Sequence, residues 1–319
     1  MKEKKFVSII MLCFNGASFM ERSLLAIKNQ TFKDFELVFV DNGSSDNTYE
    51  KINEFKENNP DIFVNIIRLS ENNLLTAWDR AVEQAEGIYI LKHDVDDWME
   101  SNCLSLLVQA AKDEDADIAA GCYANVTENK VLRKRKFTKH PTKWSLVEQQ
   151  GVMYRKELIV GWSCGVEHMM FGDLYNMVSW CSMTSKIAFV NEYIYNYLTS
   201  PLSNFNSKKM NSIGMSTAIV DFYHEIYEKE EKEKNQVQYA CVKKVYDIIN
   251  VSFKVNRDFR FKDLLEMIKY LNDRFPNYKK SKWTNSSYTV RTNIMFIMCR
   301  FVDTLNLWKH LFLIRKRSL

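Results

Sequence analysis

Phe6 to Leu12 is a nearly unbroken apolar run, interrupted only by Ser8, and reads as a strand buried on both faces. The period then changes: between Ser18 and Gln30, Phe19, Leu24, Leu25 and Ile27 recur at helical spacing. Phe35 to Val40 is a second apolar run, ended by the polar turn Asp41-Asn42-Gly43-Ser44-Ser45. A helix is predicted from about Asp46 to Asn58, with Asp46 as its N-cap. Val64 to Leu69 reads as a third strand, and Leu75 to Glu86 as a third helix stopped by Gly87. Ile88 to Leu91 is a short fourth strand that runs into His93-Asp94-Val95-Asp96-Asp97. This β-α-β-α rhythm predicts a doubly wound, mostly parallel sheet.

Farther on the pattern is mixed. Asp117 to Tyr123 and Ile187 to Val190 read as strands and Asp173 to Cys181 as a helix, while Arg133-Lys134-Arg135-Lys136 is a short basic run. From about Asn206 the chain becomes mostly helical, and the charged stretch Tyr227 to Lys234 reads as a solvated helix face. A domain of residues 1–205 followed by a helical region of residues 206–319 is therefore expected.

The length of 319 residues suits one large domain or two ordinary ones. Hydrophobic residues make up 46%, enough for a sizeable core, and a net charge of +4 is too mild to point to nucleic acid. The seven cysteines include no CxxC pair, which argues against a zinc site or disulfide framework and for a reducing compartment. The N-terminal apolar run breaks at Asn15-Gly16, so it is read as a strand rather than a signal peptide, and no stretch is long and apolar enough to span a bilayer.

In doubly wound sheets, ligands bind beyond the carboxyl ends of the strands. Polar clusters stand at three such ends: Asn15-Gly16, Asp41-Asn42-Gly43 and Asp94-Val95-Asp96-Asp97. Asp94 and Asp96, one residue apart after a buried strand, can both face a cation. Mg²⁺ or Mn²⁺ held there would be completed by substrate phosphates and would neutralise a departing diphosphate. The competing reading is a solvated acidic turn. Asn42 carries both a donor and an acceptor for a base edge, against which stands ordinary turn chemistry.

These residues carry a resemblance. The segment FVSIIMLCFNGASFMERSLLAIKNQTFKDFELVFVDNGSSDNT resembles the opening of family 2 glycosyltransferases of the GT-A fold, and AEGIYILKHDVDD resembles that family's A-x-G-x-Y-I strand and D-x-D-D. VMYRKELI and KIAFVNEYIYNY resemble its acceptor-side segment and late strand, so that the likeness covers roughly residues 5 to 205. It implies a GT-A Rossmann-like sheet flanked by helices with a mainly helical C-terminal extension. The activity implied is inverting, metal-dependent sugar transfer from a nucleotide-diphosphate donor to a glycan or lipid-linked glycan in polysaccharide biosynthesis.

Carried over position by position, the resemblance puts Asp41 and Asn42 on the donor nucleoside near Phe14 and Asn15. Asp94 falls near the ribose and metal, Asp96 becomes the principal metal ligand, and Asp97 stands behind it or shares the sugar contacts. The catalytic base falls on Asp173, with Glu167 and His168 as rivals. A helix starting near Asp173 would keep its carboxylate ionised. The chain departs from the pattern in three places. Asn42 replaces a second aspartate, Trp78 stands where an Arg is common, and Leu198 falls near a position that often holds a diphosphate-binding Arg or His. Lys92, His93, Lys208 and Lys209 are the candidate substitutes. A non-catalytic nucleotide-sugar-binding module is the alternative. A nucleotidyltransferase is disfavoured because Cys13-Phe14-Asn15-Gly16 lacks a glycine-rich basic loop.

The segment from Arg291 to Leu319 is apolar with many cations, which fits a basic amphipathic helix on an anionic membrane surface or, equally, a helix packed on the catalytic domain. A cytoplasmic protein, peripheral on the inner face of the cell membrane, is the expected setting.

Overall fold

A computed structural model describes residues 5–137, 139, 141–146, 149–160, 172–199, 212–255, 260–276 and 278. The chain divides into two compact units, Met1–Ser200 and Pro201–Leu319.

Unit 1 is a mixed α/β layer structure. β1 (Val7–Cys13), β2 (Phe35–Asn42), β3 (Phe63–Leu69) and β4 (Tyr89–Lys92) are parallel, joined by α1 (Met20–Lys28), α2 (Thr48–Asn58) and α3 (Leu74–Gln84). β5 (Trp98–Met99) and α4 (Cys103–Asp113) follow, then β6 (Ile118–Thr127), β7 (Lys130–Arg135), β8 (Val152–Arg155), α5 (Lys156–Ile159), α6 (Gly172–Met183) and β9 (Ile187–Leu198). The sheet order is β3-β2-β1-β4-β8-β6-β9-β5, with β7 paired to β6.

Each half of the sheet follows from its residues. β1 and β2 are interior strands, paired on both sides and buried on both faces, hence their mostly apolar character. Ser8 survives there because its hydroxyl donates to Glu36 Oε1 at 2.5 Å and accepts from the Gly87 N–H. Met20, Leu24 and Ile27 form the buried stripe of α1, and Leu104, Leu107, Val108 and Ala111 that of α4. Both pack with Ile9, Met11, Leu37 and Phe39 in one core. On the other face Ile10, Val38 and Ile90 pack with Ala77 and Ala81 of α3 and Met177 and Trp180 of α6.

Several expectations shift. The sheet is curled and mixed: β8 runs antiparallel to both β4 and β6, and β5 and β7 are antiparallel edge pairs. The late strand continues to Leu198, past two exposed residues, Asn191 and Glu192, because β6 and β9 stay paired through register shifts at Gly121 and Cys122. The basic run lies in β7, whose residues Lys130 to Lys134 are exposed. Helix α2 starts at Thr48, and Asp46 instead binds the Thr48 N–H and hydroxyl from outside the helix.

Unit 2 contains α7 (Ser212–Lys229), α8 (Lys234–Val255) and α9 (Phe261–Arg274). Its core gathers Ile219, Tyr223, Val237, Cys241, Val245, Leu264 and Leu271. Asp221 of α7 accepts from Tyr270 at 2.8 Å and pairs with Arg274 at 3.0 Å, both on α9. The charged stretch around residue 230 is not a continuous helix face; it forms the turn between α7 and α8, where Glu230 Oε1 accepts the Lys232 and Glu233 N–H groups. Among the described residues no helix is long and apolar enough to cross a membrane.

Candidate active site

The carboxyl ends of β1, β2 and β4 carry the site. The loop after β1 is tied to the loop after β2 by Asn15, which adopts a left-handed backbone (φ 51°). Its Oδ1 accepts from the Ser45 N–H at 2.8 Å, while its own N–H donates to Ser44 Oγ at 3.0 Å. Gly16 and Ala17 donate in turn to Thr48 and Asp46. Phe14 is left 48% exposed at the head of this assembly.

Asp41 is fully buried at the end of β2. One carboxylate oxygen accepts from the Ser44 N–H at 3.0 Å, and the other lies 3.2 Å from Arg68 Nε of β3 with no hydrogen bond. The Arg68 guanidinium stacks over the Tyr49 ring at 4.2 Å, which fixes its approach. Asn42 does not face outward with a free amide. Its Nδ2 donates to Asn72 Oδ1 at 2.8 Å and its Oδ1 accepts from the Asn73 N–H at 2.9 Å, so it secures the loop that opens α3. The close approach of that loop requires Gly43: at φ +77° a Cβ there would stand 2.6 Å from the Glu71 carbonyl carbon.

Five residues, His93–Asp97, join β4 to β5, although β8, β6 and β9 lie between those strands in the sheet. Asp94 pairs with Lys92 at 2.7 Å. Burial alone would push the Asp94 carboxyl up, but the adjacent ammonium outweighs it and holds the pKa below the usual carboxylate value. Asp96 has no ion-pair partner among the described residues. Burial, and then the Asp94 charge, raise its pKa. Asp97 is buried; one oxygen accepts from the Leu198 N–H at 2.8 Å, and the other is without a hydrogen bond. Burial, followed by the charges of Asp94 and Asp96, holds Asp97 well above the usual range. It ties the end of β9 to the loop from behind.

His93 is not an available cation. It is fully buried between Ser23 Oγ (2.9 Å from Nε2) and the Tyr195 hydroxyl (3.0 Å from Nδ1), and burial pushes its pKa down to about 4. The Tyr195 hydroxyl also accepts the Asp94 N–H at 3.4 Å. Lys92, 15% exposed, is the positive charge beside Asp94, whereas Lys208 and Lys209 lie outside the described residues.

Sequence reasoning passed over three contributors. Arg68 stands opposite Asp41 in the β2–β3 register, a pairing that only the strand alignment reveals. Arg22 of α1 donates to the Asp96 carbonyl at 3.2 Å, pairs with Glu128 at 2.9 Å and lies 3.9 Å from the centre of the Trp98 ring. Tyr195 sits in the tyrosine-rich late strand without any local signal of its contact to the acidic loop. Asp173 is the second residue of α6, and its side chain is not described; Glu167 and His168 lie outside the described residues.

The donor set fits a divalent cation in one way. Asp96 offers a carboxylate with no ion-pair partner among the described residues beside Asp94, and burial, followed by the Asp94 charge, raises its pKa. No group of three or more His, Cys, Asp or Glu side chains with metal-holding geometry occurs among the described residues, so phosphate and water oxygens would complete the shell, as Mg²⁺ and Mn²⁺ allow.

A curled, mostly parallel sheet flanked by helices, with an acidic loop leaving its fourth strand, is the GT-A fold. The chain belongs to glycosyl transferase family 2, whose model matches residues 8–172. The cholesterol galactosyltransferase of Borreliella burgdorferi is 26% identical over 237 residues, which is 67% of this chain and 63% of the relative. The chain thus spans less than two thirds of that relative's length. A crystal structure of S. aureus TarS 1-349 in complex with UDP-GlcNAc aligns with TM-score 0.65 at 15% identity, over 84% of this chain and 80% of that one. The mannosyltransferase PcManGT from Pyrobaculum calidifontis, in complex with GDP-Man and Mn2+, aligns with TM-score 0.56 at 13% identity, over 88% and 89%. At these identities the structural likeness is one of fold.

Proposed function

We propose that this glycosyltransferase is inverting and metal-dependent, and moves a sugar from a nucleotide-diphosphate donor to a glycan or lipid-linked glycan of the bacterial surface. The observation that carries the reading is the convergence of Asp41, Asp94 and Asp96 at the carboxyl edge of one sheet, with Asp96 lacking a cationic partner among the described residues. The complexes of the fold neighbours with UDP-GlcNAc and with GDP-Man and Mn2+ support a nucleotide-sugar donor and a divalent cation.

Phe14 stacks on the base, Asn15 fixes its loop, and Asp41 with Arg68 takes the nucleoside. Asn42 acts through the loop it secures. Asp94 and Asp96 hold Mg²⁺ or Mn²⁺, which when bound stabilises negative charge on the leaving diphosphate. Lys92 supplies a positive charge at the same place. Asp97 serves as a positioning residue, since one of its oxygens holds the Leu198 N–H at the end of β9. Asp173 takes the proton of the acceptor hydroxyl as its oxygen attacks the anomeric carbon from the face opposite the leaving group, with inversion as the consequence. The N-terminus of α6 favours its ionised form. Glu167 and His168 are the alternative bases.

Residues 1–205 would form the catalytic domain, with residues 206–319 as its helical extension. The cationic segment from Arg291 to Leu319 would hold the enzyme on the inner face of the cell membrane. Deleting that segment should move the protein out of the membrane fraction, and unchanged sedimentation with membranes would discard this part of the reading.

Asp96→Ala should abolish Mn²⁺-dependent turnover of nucleotide sugars while leaving the fold intact by circular dichroism. Near-normal turnover by this variant would overturn the site.

A further inference from the structure

The basic run of β7 has no role in donor binding as described so far. β9 flanks β6 on one side from Ile118 to Val126, so β8 and β7 share the other side, β8 against Ile118–Ala120 and β7 against Tyr123–Thr127. β7 therefore occupies the lane next to β4, beyond the end of β8, at the edge where the Asp94–Asp97 loop emerges.

The register also fixes a face. Directly opposed residues of paired strands project to the same side. Arg135 stands opposite Tyr123 and Tyr123 opposite Tyr195; Arg133 stands opposite Asn125 and Asn125 opposite Tyr197. Tyr195 is the residue whose hydroxyl meets the Asp94 N–H. Arg133 and Arg135 thus project from the face that the acidic loop covers. The hairpin is anchored there a second time, because Glu128 at its turn pairs with Arg22, which donates to the Asp96 carbonyl.

Among the described residues these cations have no counter-charge. Lys130, Arg133, Arg135 and Lys136 have no ion pair among the described residues, and Lys134 lies over the Tyr193 ring at 4.7 Å. The Arg135 Nε is buried without a hydrogen bond. Two guanidinium groups on one face favour phosphate oxygens, which they can grip with paired N–H donors. The lane order puts this face across the acidic loop from Asp41 and Arg68, hence on the side opposite the nucleoside.

We infer that the Arg133/Arg135 face of the β6–β7 hairpin binds a phosphate group of the acceptor, so that the acceptor is a phosphate-bearing glycan. The inference rests on the glycosyltransferase reading for its orientation: the donor occupies the β1–β2 side and the acceptor enters from β7. The phosphate belongs either to a phosphodiester-linked polymer or to a polyprenyl diphosphate carrier. Both present the same oxygens to the hairpin.

The test is direct binding by the full chain without donor. Three probes are compared: a fluorescent glycerol-phosphate oligomer, neutral phosphatidylcholine vesicles containing a polyprenyl diphosphate, and the same vesicles containing phosphatidylglycerol instead. Unmodified protein should bind the first or the second more tightly than the third, and which of the two it prefers identifies the source of the phosphate. Arg133→Gln/Arg135→Gln should weaken that binding roughly ten- to hundredfold, the range for losing two charged hydrogen-bonding groups. Arg133→Lys/Arg135→Lys should recover part of it. Unmodified protein should also release the probe as salt rises and when tripolyphosphate is added, a result that holds even if the glutamine variant fails to fold. Binding of neither phosphate probe, equal binding of phosphatidylglycerol vesicles, or a folded glutamine variant that binds as the parent does would overturn the inference. Donor hydrolysis is measured separately on unmodified protein: its absence together with arginine-dependent phosphate binding removes the transferase reading and leaves the hairpin site standing.

Discussion

Trp78 of α3 stacks on Trp180 of α6, with ring centroids 6.2 Å apart and planes 25° from parallel, and Tyr154 of β8 meets Trp180 edge-on at 4.7 Å. Trp78 is therefore a strut between α3 and the helix that begins at Gly172-Asp173. Trp78→Ala removes that strut. It should lower unfolding stability by about 2–3 kcal/mol, seen as a lower denaturant midpoint at constant slope. Transfer turnover should fall with little change in donor KM, because the helix carrying the proposed base loses its support. Trp78→Phe should retain most of both. Wild-type turnover by the alanine variant would show that α6 needs no such support.

Lys92 pairs with Asp94 at 2.7 Å and sits within the field of Asp96. Lys92→Met should therefore act in opposite directions on two ligands. Mn²⁺ titrated alone should bind roughly tenfold more tightly, since a nearby positive charge is gone. Nucleoside diphosphate in the presence of Mn²⁺ should bind more weakly, since its own counter-charge is gone. Calorimetric titrations of both ligands would check this pair, and parallel changes would assign Lys92 to holding Asp94 alone.

Arg22 reaches the acidic loop through the Asp96 carbonyl while its guanidinium stacks on Trp98. Its ion pair with Glu128 is largely exposed and contributes little stability. Arg22→Gln should thus leave the melting temperature nearly unchanged and raise the Mn²⁺ concentration needed for half-maximal donor turnover severalfold. Glu128→Gln should have a smaller effect in the same direction. A large loss of melting temperature in Arg22→Gln would mark the residue as structural.

The cysteines give a pH-dependent expectation. Cys13, Cys103, Cys122, Cys181 and Cys241 are buried. Burial pushes the Cys13 and Cys181 thiols up to about 12 from an ordinary 9.0. Unfolded thiols ionise near 9.0 and folded ones not until about 12, so the unfolded state holds fewer protons between those values. The thiol contribution to stability is full below pH 9 and is lost as pH rises toward 12. At pH 8 these five thiols should resist iodoacetamide in the native protein and react only after denaturation, as mass spectrometry of labelled peptides would show. Rapid labelling of Cys13 under native conditions would contradict the burial.

β1, β2 and β4 were legible because interior parallel strands are buried on both faces, and Val7–Cys13 and Phe35–Asn42 show it as mostly apolar runs. β7 was invisible for the opposite reason: an edge strand exposed from Lys130 to Lys134, with Val131 and Leu132 side by side, has no apolar-polar alternation to detect. β5 is two residues long and exists only through its pairing with Tyr195 and Asn196. The acidic loop was legible as chemistry, since its carboxylates follow a strand directly. What each carboxylate does depends on long-range partners: Lys92 for Asp94, Leu198 for Asp97, Arg68 for Asp41. The Asn42 amide looked like a base reader and proved to be engaged with Asn72 and Asn73, some thirty residues away in sequence. Such pairings are set by register, which local spacing does not encode.

The short His93–Asp97 crossing, from the fourth lane of the sheet to the last, works as a clasp on a curled ribbon. Its two fastened ends make the curvature of the whole ribbon and the spacing of the acidic pair a single mechanical variable. Any breathing that parts β9 from β4 must tug on Asp94 and Asp96, and anything that draws those two carboxylates together must tighten the ribbon. Slack spliced into the clasp, even one glycine after Val95, would uncouple the two.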